Sequence, residues 1–148
     1  MGSASRGMQN PEVDAMGVRG ETRNRDVAGI PYRDGADPAV RERCRIDLHV
    51  PTGKKGFATV VWFHGGGLTG GAREIPAGLR EKGFAVAGAG YRLSPQVRVP
   101  TCVEDAAAAV AWTVRHIAEH GGDPAKVVVA GHSAGGYLSA MVGLDRRW

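Results

Sequence analysis

Three continuous apolar runs along the chain predict strands that are buried on both faces. They lie at residues 57–63, 84–91 and 126–130. Residues 43–50 instead alternate polar and apolar side chains, a pattern typical of a half-buried edge strand. The chain therefore supplies at least the strands of an extended sheet.

Helical periods appear between and after these runs. Thr101 and Glu104 have the spacing of a capping box, and apolar side chains then recur every three or four positions over residues 103–117. Residues 134–144 predict a further helix, and residues 76–82 predict a short one. Asp105 would lie in a first helical turn, where a carboxylate stabilises the helix dipole.

The alternation of strands and helices predicts an α/β fold, a mostly parallel sheet with helices on both faces. Residues 1–26 are polar and have no hydrophobic period, so we expect a disordered leader there. Residues 27–148 are then expected to form one domain, since 148 residues suffice for a single core.

Composition and charge exclude several classes of protein. The net charge of +4 arises from 19 Lys and Arg scattered among 15 Asp and Glu, and only 6% of residues are aromatic, so no nucleic-acid partner is expected. No apolar stretch approaches transmembrane length, and neither a signal peptide nor metal-type cysteine spacing is visible. We expect a cytoplasmic protein without a membrane partner; the oligomeric state is unknown from sequence.

The motif that carries chemistry is Gly131-His132-Ser133-Ala134-Gly135, which matches the G-x-S-x-G pattern between a buried strand and a helix. A serine there is expected on a sharp, strained bend that projects its hydroxyl from the sheet. Gly131 and Gly135 avoid a collision across this bend because they lack side chains. The amide of Ala134, at a helix N-terminus, favours negative charge above the serine. Ser133 is therefore the candidate nucleophile.

A run of glycines, His64-Gly65-Gly66-Gly67, follows the strand at residues 57–63. Attack on a carbonyl creates an oxyanion, which preorganised N–H donors stabilise. Glycine lets the backbone approach a substrate with no side chain in the way. We expect the amides of Gly66 and Gly67, together with that of Ala134, to bind this oxyanion.

Other interpretations of the glycine run remain open. Residues 65–70 also fit the G-x-G-x-x-G dinucleotide pattern, although Pro76 interrupts the helix that this pattern requires and no acid ends the next strand. A flexible turn is a further alternative. His64 is a candidate base, but a structural hydrogen bond to the loop suits its position better.

Together these motifs resemble the α/β-hydrolase superfamily, in particular esterases and lipases of the hormone-sensitive-lipase-like and feruloyl-esterase-like types. The resemblance runs from about Ile46 to Trp148 and includes residues 62–67, 90–95 and 123–124. It implies an α/β-hydrolase fold and an acyl-enzyme mechanism on a small ester, with no metal and no organic cofactor. Arylformamidases, thioesterases and peptidases of the same fold are alternatives, as is a non-catalytic domain.

The sequence departs from this family after the serine. The family order is Ser, then Asp or Glu, then His, but the residues after Ser133 include Asp145 and no histidine. We therefore expect an N-terminal part of the domain, incomplete at its C-terminus and lacking the catalytic His and acid. Such a chain is expected to be inactive alone and poorly soluble; completion by a second chain, or a natural remnant, stays open. The upstream histidines are not expected to reach the serine (His49, His64, His116, His120 and His132).

A weaker pattern occurs near the end of the first long helix. His116, Glu119 and His120 form H-x-x-E-H, which places both histidines on one helix face as in some zinc peptidases. No third ligand is evident in the sequence, and histidines in a last helical turn also interact favourably with the helix dipole. We therefore expect no metal at this position.

Overall fold

The computed structural model describes residues 23–148 as one mixed sheet with helices packed on it. The strands lie in the order β1-β2-β4-β3-β5. Strands and helices have the following bounds: β1 Asn24–Pro31, α1 Pro38–Arg43, β2 Arg45–Pro51, β3 Phe57–Phe63, β4 Ala85–Ala89, α2 Val99–His116, β5 Gly122–Gly131 and α3 Ala134–Leu144, with short 3₁₀ helices at Ala77–Leu79 and Ile117–His120.

The three apolar runs form the parallel part of the sheet. β3 pairs in parallel with both β4 and β5, whereas β2 is antiparallel to β4 and β1 is antiparallel to β2. All five residues of β4 are buried, as expected for a central strand with protein on both faces. The predicted α/β class is confirmed, with an antiparallel extension at one edge.

One face of the sheet carries the main apolar core. Val61 and Phe63 of β3 are fully buried there and belong to one cluster with residues of α2 and α3. The two long helices contact each other and β5. None of the helices between residues 23 and 148 combines the length and apolar character needed to span a bilayer.

The other face is covered by an extended segment in place of the short helix predicted over residues 76–82. Only Ala77–Leu79 form a turn of 3₁₀ helix. The segment lies very close to β4, because a Cβ added to Gly88 would stand 2.2 Å from the carbonyl oxygen of Glu74. Glycine at this position therefore allows backbone to cover the sheet directly.

The predicted domain start at residue 27 is a few residues late, since β1 begins at Asn24. The part of the predicted leader over residues 1–22 lies outside the described residues. The short helix α1 has no counterpart among the predictions; its six residues bury only Val40, and Asp37 caps it by accepting from the amide of Ala39.

The start of α2 also differs from the prediction. The helix begins at Val99 after Arg98, and no side chain caps it, so Thr101 and Glu104 do not form the expected capping box. Asp105 therefore lies beyond the first turn and is fully buried, so the predicted position in the first helical turn is wrong.

Two predictions about strand burial were wrong. β2 was expected at an edge, but β1 pairs with its outer side and most of β2 is buried. β5 was expected to be buried on both faces, but Val128 is 55% exposed.

Candidate active site

Ser133 lies on the bend that joins β5 to α3. Its backbone angles are φ 53° and ψ −116°, a combination that residues with a side chain seldom adopt. Ser133 is exposed, and α3 begins at the next residue, Ala134. The chain thus changes from strand to helix within two residues, with the serine on the outside of the turn.

The glycines on either side of Ser133 allow this bend because backbone passes where their side chains would stand. A Cβ on Gly131 would lie 2.4 Å from the carbonyl carbon of Gly135, and a Cβ on Gly135 would lie 1.9 Å from the carbonyl oxygen of Phe63. Both distances are far below van der Waals contact. The sequence argument for these two glycines agrees with the packing.

The fold brings the glycine run beside the serine. A Cβ on Gly65 would lie 3.4 Å from the Cβ of Ser133 and 3.0 Å from Nδ1 of His132. The amide of His132 donates to the carbonyl of Phe63 over 3.2 Å, which joins the ends of the neighbouring strands β5 and β3. The two sequence motifs therefore meet at the carboxyl edge of the parallel strands, the usual place for a site in α/β folds.

The three amides predicted to bind an oxyanion lie in this region. Gly66 and Gly67 have φ angles of 120° and 64°, which glycine adopts readily. Within residues 23–148 the amides of Gly66, Gly67 and Ala134 donate to no acceptor, so they are available to a ligand. The carbonyl of Gly66 accepts from the amides of Thr69 and Gly70, which shapes the loop. Binding of an oxyanion by these amides stays a prediction.

His64 is a structural residue of the loop. Its ring is almost fully buried, stacks on the Tyr91 ring with centroids 4.4 Å apart, and hydrogen-bonds through Nδ1 to the carbonyl oxygen of Gly65 at 2.7 Å. Burial lowers the pKa of His64, which keeps the ring neutral. Among the described residues no partner lies at its Nε2. These contacts fit the interpretation of His64 as a support for the loop.

Candidate partners for a catalytic triad do not meet Ser133 within residues 23–148. The hydroxyl of Ser133 has no hydrogen-bond partner there. Asp145, the acid that follows it in sequence, is bound by Arg147, which lowers the pKa of Asp145 to about 2. Asp145 is therefore committed to a local ion pair at the end of α3.

The histidines of the H-x-x-E-H pattern have separate partners. His116 hydrogen-bonds to Glu119 at 2.8 Å and stacks on Trp112, whereas His120 accepts from Arg25 at 3.3 Å. No group of three or more potential metal ligands occurs among the described residues. Because Arg25 brings a positive charge to His120, this end of the helix is a poor cation site.

Sequence reasoning missed the residues that hold the glycine run in place. Tyr91 donates its hydroxyl to the carbonyl of His64 at 2.8 Å, and the amide of Ser94 donates to the carbonyl of Leu68 at 2.8 Å. The segment Gly90–Pro95 could have indicated them, because it contributed to the family resemblance. The sequence alone assigned no role to its residues.

This sheet, the bend at Ser133 and the adjoining glycine run define an α/β-hydrolase. The BD-FAE family model matches residues 46–147, and the chain belongs to that family. The resemblance found in the sequence is thereby confirmed.

Named relatives are esterases. The chain is 40% identical to the carboxylic ester hydrolase LipN of Mycobacterium tuberculosis over 76% of its own length and 30% of that protein. It is 37% identical to a probable isoprenylcysteine alpha-carbonyl methylesterase of Oryza sativa subsp. japonica over 66% of its own length and 24% of that protein. The chain thus spans about a quarter to a third of the length of these relatives.

Solved structures give the same class. Esterase B of Lactobacillus rhamnosis superposes with a TM-score of 0.70 and 30% identity over 80% of this chain and 38% of that one. A bacterial heroin esterase superposes with a TM-score of 0.66 and 34% identity over 84% of this chain and 39% of that one. The neighbours support the fold of the described part.

Proposed function

We propose that the protein is a serine carboxylic-ester hydrolase that acts through an acyl-enzyme intermediate, with Ser133 as the nucleophile. The observation that carries the proposal is the strained, exposed Ser133 beside the glycine run. A backbone held in an unfavourable region persists only where the surrounding structure determines it, and such positions concentrate at active sites. Here the close backbone packing at Gly131 and Gly135 holds Ser133 in its strained conformation.

In this proposal the hydroxyl of Ser133 attacks the ester carbonyl, and the carbonyl oxygen acquires negative charge. The amides of Gly66, Gly67 and Ala134 donate to that oxygen, and Ala134 adds the positive end of the α3 dipole. A histidine must accept the proton of Ser133 and return it to the leaving alcohol, and water then releases the acid. Removing one donor of this kind typically lowers kcat by about a hundredfold or more.

A carboxylic ester is the substrate class that the relatives favour. LipN is named a carboxylic ester hydrolase, and the plant relative a probable methylesterase. The chain spans only about a quarter to a third of these relatives, so no acyl-chain or alcohol preference is carried over from them. The proposal is therefore limited to hydrolysis of a small-molecule ester.

The nucleophile is tested by labelling with a fluorophosphonate, which traps activated serines. We use protein expressed from the full reading frame that contains this sequence, and locate the label by peptide mass spectrometry. Labelling is expected on the peptide with Ser133 and is expected to disappear in Ser133→Ala. Ser139→Ala is the matched control, since Ser139 lies in α3 and donates to the carbonyl of Gly135. Unchanged labelling of Ser133→Ala would contradict the assignment.

A further inference from the structure

We propose that Asp105 is a positioning residue for the oxyanion-binding loop, acting through Arg92 and the segment that follows β4. Residues 64–71 are hereafter the glycine loop. The inference rests on the proposed function, because it takes the amides of this loop to bind the oxyanion. Residues 90–97 are hereafter the tether segment. The tether segment fixes both ends of the glycine run, and Asp105 in turn fixes the tether segment.

The tether segment contacts the glycine loop on both sides of its three glycines. The Tyr91 hydroxyl donates to the carbonyl of His64 at 2.8 Å, and the rings of Tyr91 and His64 stack. On the other side, the amide of Ser94 donates to the carbonyl of Leu68 at 2.8 Å. The two bonded carbonyls flank residues 65–67, so the free amides of the run lie between two fixed points.

This arrangement matters because the glycine run has little intrinsic preference for one conformation. Gly66 and Gly67 have positive φ angles, and glycine loses more conformational freedom on ordering than any other residue. Leu68 also has a positive φ, of 62°, which is unfavourable for a branched side chain. Contacts from outside the loop must therefore hold its amides in register with the amide of Ala134.

Asp105 binds the tether segment through both the backbone and the side chain of one residue. Its carboxylate accepts from the Arg92 amide at 3.1 Å, from Nε at 2.8 Å and from Nη2 at 2.8 Å. Arg33 donates to the same carboxylate. Because α2 carries Asp105 and packs on the sheet, Arg92 is held by a rigid element between the two tether contacts at Tyr91 and Ser94.

The buried carboxylate of Asp105 is suited to holding Arg92 in one orientation. A fully buried carboxylate is costly unless it is paired and hydrogen-bonded, and removal of one partner leaves an uncompensated charge. Burial alone would raise the pKa of Asp105, but the hydrogen bonds and charge of Arg92 outweigh burial and lower it. A charged, bidentate pair restricts orientation more strongly than a neutral contact does.

The first test measures amide hydrogen exchange in Asp105→Asn and in Tyr91→Phe, using protein from the full reading frame. Tyr91→Phe removes only the hydroxyl and keeps the ring stack, so it tests the tether even if Asp105→Asn folds poorly. We expect the Ser94 amide to exchange about tenfold faster or more in Asp105→Asn. The amide of Val61, which is fully buried in β3 between β4 and β5, reports global opening and should accelerate much less than that of Ser94.

Thr113→Val is the matched control for Asp105→Asn. It also removes a buried polar group of α2, a hydroxyl that donates to the carbonyl of Ala109, without touching the tether segment. Equal acceleration at Ser94 and Val61, or equal effects of the two variants on Ser94, would overturn the positioning role and leave Asp105 as a contributor to stability alone.

The second test separates binding from chemistry in ester hydrolysis. Misplaced oxyanion donors stabilise the transition state less and leave the binding of the ground state unchanged. Asp105→Asn and Tyr91→Phe are therefore both expected to lower kcat about tenfold or more, with KM within about twofold. A change in KM with constant kcat would overturn the proposal. If the unmodified protein shows no hydrolysis, the proposed function fails, while the exchange rates at Ser94 still decide whether Asp105 orders the loop.

Discussion

At the scale of single residues, the glycines around Ser133 are constrained by backbone contacts and not by flexibility. Gly135→Ala would place a Cβ 1.9 Å from the carbonyl oxygen of Phe63, and the β3 backbone cannot move away without losing its pairing with β5. We expect the free energy of unfolding to fall by about 3 kcal/mol. Urea denaturation followed by circular dichroism measures this change.

A glycine elsewhere in the same helix provides the control. A Cβ added to Gly143, in the last turn of α3, would meet no heavy atom within 4 Å beyond the backbone of its own helix. Gly143→Ala is therefore expected to leave stability unchanged or raise it by about 0.5–1 kcal/mol. Similar losses in both variants would show that the close approach at Gly135 does not limit the bend.

Residues of the candidate site differ in how visible they are in the sequence. Ser133, Gly131 and Gly135 were predictable because the steric demands of a strand-to-helix bend act within five consecutive residues. Asp105 was misread because a local pattern suggested a first helical turn, whereas its role depends on Arg92, which belongs to a different element. Long-range hydrogen bonds of this kind leave no local periodicity.

At the scale of elements, β5 is the exposed edge of the described sheet. It pairs with β3 on one side, and Val128 is 55% exposed. Unpaired apolar strands promote association between chains, and an edge lysine opposes it. We expect Val128→Lys to reduce concentration-dependent association of the 148-residue chain, measured by light scattering over a dilution series.

The matched control is Val114→Lys, which also replaces an exposed valine with lysine but on α2. It adds the same charge to the molecule without altering a strand edge. Equal reductions in both variants would mean that net charge, and not the β5 edge, governs association. Neither substitution is expected to change the free energy of unfolding by more than about 0.5 kcal/mol.

The elements themselves were predictable where apolar runs are long. β3, β4, β5 and the bulk of α2 follow from hydrophobic runs or helical periods. α1 was missed because its six residues are too short for a period to develop, and it is fixed instead by the Asp37 cap. β1 was missed because it contains several polar residues and owes its extended form to pairing with β2.

At the scale of the whole molecule, the strand order could not be derived from the pattern alone. Alternating elements indicate a parallel sheet, but β4 lies between β2 and β3 although it follows both in sequence. In this central strand, Gly88 lies directly against the segment around Glu74. Only a residue without a Cβ allows that segment to cover the sheet there. Such packing between distant segments is visible only in the folded chain.

Burial of His64 makes the stability of the molecule depend on pH. Its pKa is lowered by burial from the usual value of 6.5, so below pH 6.5 the unfolded chain takes up a proton more readily than the folded one. The free energy of unfolding is therefore expected to decrease as the pH falls from 6.5 towards the lowered pKa of the folded state. Urea denaturation at a series of pH values between about 7.5 and 5.5 measures this slope.

His64→Gln isolates the contribution of this ring. The variant loses the stack on Tyr91 and is expected to be less stable at every pH, but with a smaller loss between about pH 7.5 and 5.5. Some slope should persist, because burial and Arg25 also lower the pKa of His120. An identical slope in both proteins would mean that His64 takes up its proton equally in the folded and unfolded states. Protonation of His64 would then leave the ring in its position against Tyr91. The glycine loop would not depend on the neutral form of that ring.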